Sequence, residues 1–175
     1  VVANKGLFYA DYNRTKQELE KRGVEVVVAS RIRGVVTAKD SKQQKTISVD
    51  IALSNVNVAD YDSVIFTGGK LEEFYVGGAA HDQAKRIIRE TLAKDKVVGA
   101  ICTGPEVLAQ AGVLDGMKIT RFCASCAYDK VKNMKVVRQA VAHSRGADGG
   151  DIITGRDSSQ AGAFVEKIVK TMRSK

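Results

Sequence analysis

Cys102 stands in Gly99-Ala100-Ile101-Cys102-Thr103-Gly104-Pro105, where small and apolar residues deliver a thiol to a tight turn and Pro105 opens a helix. A strand, a sharp turn and a helix in this order expose the turn residue and aim the helix N-terminus at it. A free thiol titrates near ~8.5 and one at a helix N-terminus near ~6, so the expected gain in thiolate at neutral pH is more than about tenfold. Attack on a carbonyl also needs donors for the oxyanion that forms. The N–H groups of Gly69, which closes Val64-Ile65-Phe66-Thr67-Gly68-Gly69, and of Thr103, which follows the thiol, are the candidates. The competing reading is that Cys102 is a small buried residue, the usual fate of free cysteine.

Other chemistry is weaker. Gly68-Gly69-Lys70 lacks the spacing and closing Lys-Ser/Thr of a phosphate loop. Cys123 and Cys126 have the spacing of half a zinc site, but a structural site needs four ligands and no second pair occurs, so no metal and no cofactor is expected. Lys167, Lys170, Arg173 and Lys175 end the last predicted helix, where positive charge suits the helix dipole whatever the partner. Lys42, Lys45, Lys130, Lys132 and Lys135 fall in predicted turns without interleaved aromatics, so nucleic-acid binding is not expected.

The elements that must carry Cys102 alternate between β-branched runs and helical periods, the pattern of βαβ units around a parallel sheet. Residues 1–3 read as the end of a strand. Residues 11–22 read as a helix with Tyr12, Thr15 and Leu19 on one face and Gly23 as its stop. Residues 24–29 read as a strand buried on both faces, and residues 33–53 as a small antiparallel excursion. Strands are predicted at 64–67, 96–101, 118–122, 135–141 and 151–154, with Gly149-Gly150 as a turn. Helices are predicted from Ala80, from Pro105 and over the last segment, where Phe164, Val165, Ile168, Val169 and Met172 share a face.

Composition agrees with one domain over 1–175. The 175 residues carry 28 Lys and Arg against 20 Asp and Glu, and 44% are apolar. A chain of this length buries enough surface to fold without staples. Neither collagen, disorder nor a coiled coil fits 16 Gly, one Pro and a mixed apolar pattern. The three cysteines, odd in number and without a secretory leader, argue for free thiols. With no apolar run of membrane-spanning length, a cytoplasmic address is expected. A few residues are expected to precede Val1, since no initiator Met is present.

The runs Tyr61-Asp62-Ser63-Val64-Ile65-Phe66-Thr67-Gly68-Gly69, Ala100-Ile101-Cys102-Thr103-Gly104-Pro105 and Leu108-Ala109-Gln110-Ala111-Gly112-Val113-Leu114-Asp115-Gly116, followed by Thr120, resemble the ThiJ/PfpI family in order and spacing. The likeness is weakest over residues 30–50 and 121–150. It implies a flavodoxin-like three-layer α/β sandwich, a mostly parallel central sheet with helices on both faces, and Cys102 as an elbow nucleophile. It also implies an acidic partner for the cysteine at the start of the first helix, usually Glu. A gap-free alignment puts Asp11 there, one methylene shorter; Asp11 also suits an ordinary N-cap. Members commonly form dimers or larger rings, so self-association is expected.

The family supplies a histidine either directly after the cysteine, where this chain has Thr103, or near Arg121-Phe122-Cys123-Ala124-Ser125-Cys126, where it has none. His81 and His143 align with neither place. Loss of a general base typically costs about 10²–10⁴ in rate. Cys123 and Cys126 occupy the segment that the family places near its nucleophile, and Cys123 is a candidate resolving thiol for an oxidised Cys102. Three activities follow from the resemblance: a glyoxalase or deglycase acting on small α-oxoaldehydes through Cys102 and Asp11, a redox-sensing or chaperone-like protein, and a peptidase. The related glutamine amidotransferases need a downstream His-x-Glu, which His143-Ser144-Arg145 does not supply.

Overall fold

The computed structural model of the chain describes residues 1–39, 44–74, 76–123, 126–147 and 149–175. In chain order the elements are α1 (Tyr9–Glu20), β1 (Ala29–Ser30), β2 (Gly34–Lys39), β3 (Gln44–Val49), β4 (Ile51–Ala52), β5 (Ser63–Phe66), α2 (Ala79–Ala93), β6 (Val97–Ile101) and α3 (Pro105–Gln110). They continue as β7 (Lys118–Ile119), β8 (Lys135–Val136), β9 (Val141–Gly146), β10 (Gly149–Gly155) and α4 (Ala161–Met172). Short 3-10 turns lie between them, including Cys126–Tyr128 and Ser158–Gln160.

The central sheet runs β5-β6-β10-β9, with β6 parallel to both neighbours and β9 antiparallel on the edge. Val1 and Val2 continue it on the β5 side. The Val1 amino group donates to Ile65 O at 2.6 Å, Thr67 N donates to Val1 O at 3.2 Å, and Val2 N donates to Ala29 O at 2.9 Å, which brings in the parallel pair β1-β4. The reading of residues 1–3 as a strand end therefore agrees with the pairing.

Strand β6 is buried along its whole length and shows why the fold has three layers. Side chains alternate across a strand. Val98 and Ala100 join Val64, Phe66 and Ile152 under α2 and α3, through Ala84, Ile87, Ile88, Val107 and Leu108. Val97 and Ile101 join Ile153 under α4 and α1, through Phe164, Val165, Ile168 and Leu19. The chain is an α/β sandwich with helices on both faces of a mostly parallel sheet, as expected.

The predicted antiparallel excursion is the hairpin β2-β3, whose turn, with Lys42, lies outside the described residues. Gly23 has φ +75 and ends the first helix, its N–H bonded to Glu20 O. Three expectations need correction. Residues 24–29 are not a doubly buried strand: only Ala29–Ser30 ladders with another strand, and Val27 is 37% exposed. These residues instead line one wall of a groove of about 490 Å³, opposite Tyr61, Ser63 and Ile65, which contains none of the candidate site residues. The predicted strands at 118–122 and 135–141 shrink to two residues each, and a separate strand, β9, follows. Gly149 and Gly150 belong to β10, whose register with β9 shifts there, a bulge that glycine permits.

Gly99 marks the closest approach of α4 to the sheet. A Cβ there would lie 2.8 Å from Ile168 Cδ1 and 3.1 Å from Phe164 Cζ. The substitution Gly99→Val is expected to cost about 1–3 kcal/mol of unfolding free energy, measured by denaturant titration, because the packed face has nowhere to move.

Candidate active site

Strand β6 ends at Ile101 and α3 begins at Pro105, so three residues turn the chain. Cys102 makes the turn at φ +63, a left-handed conformation that side chains rarely adopt. The surroundings hold it there. Its N–H donates to Gly155 O at 3.0 Å, its carbonyl accepts from Phe122 N at 3.2 Å, and Gly104 N closes the turn on Ile101 O at 2.9 Å. Gly104 cannot carry a side chain, since a Cβ would collide with Phe66 O and lie 2.9 Å from Ile101 O.

Asp11 reaches the same point from the first turn of α1. It is not the N-cap, which is Phe8, and its side chain is fully buried. Asp11 and Cys102 meet over the backbone of Gly68: a Cβ on Gly68 would strike Asp11 Oδ2 and lie 2.7 Å from Cys102 Cβ and 3.0 Å from its sulfur. Neither Asp11 oxygen completes a hydrogen bond of ordinary geometry, and the groups facing the carboxyl are the Cys102 thiol and the Ser158 backbone N–H.

Burial holds the Asp11 carboxyl up to about 6, against an ordinary 3.8, with Asp157 adding to the rise while the Cys102 thiol, Ser158 N–H and Arg14 oppose it. The Cys102 thiol is pushed well above its free value, first by burial, then by the Asp11 charge and by the approach of that carboxyl to the thiol. Only the Thr103 N–H favours the thiolate appreciably. The expected depression by a helix N-terminus is therefore corrected: α3 has six residues, too short for a strong dipole, and desolvation beside a carboxylate outweighs it. Asp11 and Cys102 are coupled, and the proton they hold belongs to the pair.

The two expected oxyanion donors differ. Thr103 N–H faces the sulfur. Gly69 N–H is occupied, because it donates to Thr103 Oγ1 at 3.0 Å while that hydroxyl donates back to Gly69 O at 2.9 Å. Gly69 has φ +135, and a Cβ there would lie 2.6 Å from Gly6 O, so glycine is required. In this structure Gly69 N–H is closed off by a threonine clip.

A model of the DJ-1/PfpI family matches residues 1–171. The chain belongs to the DJ-1/PfpI family. It is 36% identical over 111 residues to a deglycase of Pyrococcus abyssi, covering 63% of this chain and 61% of that one. Against the deglycase PfpI of Pyrococcus furiosus the figures are 34%, 63% and 61%. The match thus spans about three fifths of these relatives' length. Among solved structures, a ThiJ/PfpI domain protein of Brachyspira murdochii superposes with TM-score 0.83 at 19% identity, over 99% of this chain and 94% of that one. DJ-1beta of Drosophila melanogaster gives 0.78 at 22%, over 99% and 88%. These likenesses support the fold.

Within the DJ-1/PfpI frame, the histidine positions stay without histidine. His81 Nδ1 bonds Phe74 O at 2.8 Å. His143 Nε2 bonds Asp151 Oδ1 at 2.6 Å, and Asp151 pairs with Val97, at the opposite end of β6 from the elbow. Cys123 is exposed, one residue beyond the Phe122 N–H that holds Cys102 O. The Cys126 side chain lies outside the described residues, as do Ala124 and Ser125. Among the described residues no group of three or more His, Cys, Asp or Glu is placed to hold a metal, and no helix is long and apolar enough to cross a membrane.

Two contributors were invisible in the sequence: Gly68 as the point of closest approach and the Thr103 hydroxyl. The Gly68-Gly69 pair was the one available signal, but nothing in it told which glycine faces the thiol.

An Asp held up at about 6 is easier to protonate folded than unfolded. Its contribution to stability is present below 3.8 and is lost as the pH rises through 6. Asp11→Asn is accordingly expected to be more stable than the parent at pH 7.5 by about 2–3 kcal/mol, with the gap closing toward pH 4, as measured by urea unfolding across that range.

Proposed function

We propose that the protein is a cysteine-dependent enzyme of the glyoxalase and deglycase kind, acting on small α-oxoaldehydes through Cys102. The observation that carries this reading is the buried pair of Cys102, strained at φ +63, and Asp11, in contact across Gly68. A pair holding one proton has a minor tautomer with the proton on the carboxyl and a thiolate on sulfur, and a carboxyl near 6 is matched to proton transfer at neutral pH.

The chemistry follows from that pair. The sulfur attacks the aldehyde carbon as the thiol proton passes to Asp11, and Asp11 returns it to the new alkoxide, giving a hemithioacetal. The Asp11 carboxylate then takes the proton from the former aldehyde carbon, the electron pair moves onto the neighbouring carbonyl oxygen, the proton returns to that second carbon, and the hydroxyl proton of the hemithioacetal passes to the second oxygen, leaving a carbonyl beside sulfur. The product is a thioester, which water hydrolyses to a 2-hydroxy acid and free Cys102. No oxidant or reductant is consumed. Thr103 N–H faces the alkoxide, and rotation of the Thr103 hydroxyl frees Gly69 N–H as a second donor. The names of the Pyrococcus relatives support this class. Peptide hydrolysis fits less well, since the leaving amine needs an acid and neither histidine stands at the elbow.

The exposed Cys123 favours a second, compatible reading as a redox sensor. Peroxide converts the Cys102 thiol to sulfenic acid with release of water, and Cys123 displaces a second water to form a disulfide.

Conversion of methylglyoxal to lactate, followed by lactate assay, is expected in the parent and is expected to fall to background in Cys102→Ala. Equal turnover in the two would overturn the enzyme reading. Intact mass after peroxide, with loss of two hydrogens from the parent alone, is the expected signature of the sensor.

A further inference from the structure

Tyr128 has a hydroxyl that the fold leaves unused. The residue is 7% exposed, and among the described residues its phenolic oxygen has no hydrogen-bond partner. Leaving such a group buried and unpaired costs stability, since its bond to water is lost and not replaced. The ring is nevertheless clamped in place. The Arg121 guanidinium lies over it at 4.4 Å, Gln110 Nε2 donates to the adjoining Ala127 O at 3.0 Å, and Val131 N donates to Tyr128 O at 3.0 Å.

The clamp ties the ring to the elbow. Arg121 directly precedes Phe122, whose N–H is bonded to Cys102 O. Burial opposes ionisation of the phenol most and the Glu106 charge adds to it, outweighing the Arg121 guanidinium. The hydroxyl therefore stays protonated, as a neutral donor.

An α-oxoaldehyde carries two adjacent oxygens. Attack by Cys102 uses one of them. The second, on the neighbouring carbon, gathers negative charge when the proton leaves the former aldehyde carbon, and neither Gly69 nor Thr103 is assigned to it. We infer that the Tyr128 hydroxyl donates a hydrogen bond to this second oxygen and so selects α-dicarbonyl substrates over simple aldehydes. This rests on the proposed attack by Cys102. The phenol keeps its proton throughout: it stabilises the enediolate oxygen, and the migrating proton travels by Asp11 to carbon.

The test uses Tyr128→Phe, which keeps the ring and its contact with Arg121. Adducts on Cys102 are measured by mass spectrometry at equilibrium with methylglyoxal and with acetaldehyde, each normalised to adducts on a small free thiol. The parent is expected to prefer methylglyoxal beyond the free thiol, and Tyr128→Phe to lose about tenfold of that preference. Alkylation by iodomethane, which carries no oxygen, is expected to stay within about threefold, whereas a merely structural role would move both. Methylglyoxal turnover is expected to fall about 10²-fold, the usual loss for one oxyanion donor. An unchanged preference in Tyr128→Phe overturns the inference. A parent that forms the selective adduct without turning over sinks the enzyme reading while the Tyr128 contact stands.

Discussion

The carboxyl of Asp11 and the sulfur of Cys102 are brought together across the bare backbone of Gly68, and much of the structure exists to permit that approach. A methyl group on Gly68 would strike both partners. The thiol gets there only because Cys102 accepts a left-handed backbone and because Gly104 lets the turn press against Phe66 O. Strain of this kind costs about 1–3 kcal/mol and persists only when its surroundings over-determine it. Here they do: β6 is buried on both faces, and the peptide groups of Cys102 are gripped by its N–H donating to Gly155 O and its carbonyl accepting from Phe122 N–H.

The same burial sets the resting state. Removing a carboxylate and a thiol from water raises both pKa values, and the Asp11 charge raises the thiol further. The result is a guarded thiol with its proton in hand. The Thr103–Gly69 clip closes the same site to an oxyanion. On the proposed chemistry, reactivity belongs to the complex: a carbonyl that displaces the clip and accepts a proton from Asp11 releases the constraint as it reacts. The unpaired Tyr128 hydroxyl fits this picture, since a donor left idle in the free protein gains its full bond when substrate arrives.

The elbow was legible because its signals are local. Small residues before Cys102 and Gly-Pro after it specify strand, turn and helix within seven positions. The last helix was equally plain, since Phe164, Val165, Ile168 and Val169 repeat at helical spacing and are buried as expected. Residues 24–28 misled because valines of high β-propensity look alike whether or not a neighbour pairs with them; here they line a groove. Strand β9 was missed because Val141–Gly146 alternates buried and exposed residues on a sheet edge and carries His, Ser and Arg. The direction of the Cys102 shift was misjudged because a helix N-terminus is visible in sequence, whereas burial and the distance to a carboxylate about half the chain earlier are not. Tyr128 gave no signal, as an unpaired hydroxyl is a property of packing alone.

The account turns on one proton shared by Asp11 and Cys102, and the pH dependence of Cys102 alkylation, with the modified residue identified by mass spectrometry, tests it most directly. In the parent the rate should rise through about pH 6, as the pair loses its first proton, and then hold a plateau, because the thiolate tautomer remains a constant fraction of the one-proton state. In Asp11→Asn the plateau should vanish and the rate should climb tenfold per pH unit from 6 to 8. A parent that climbs in the same unbroken way as Asp11→Asn would contradict the account.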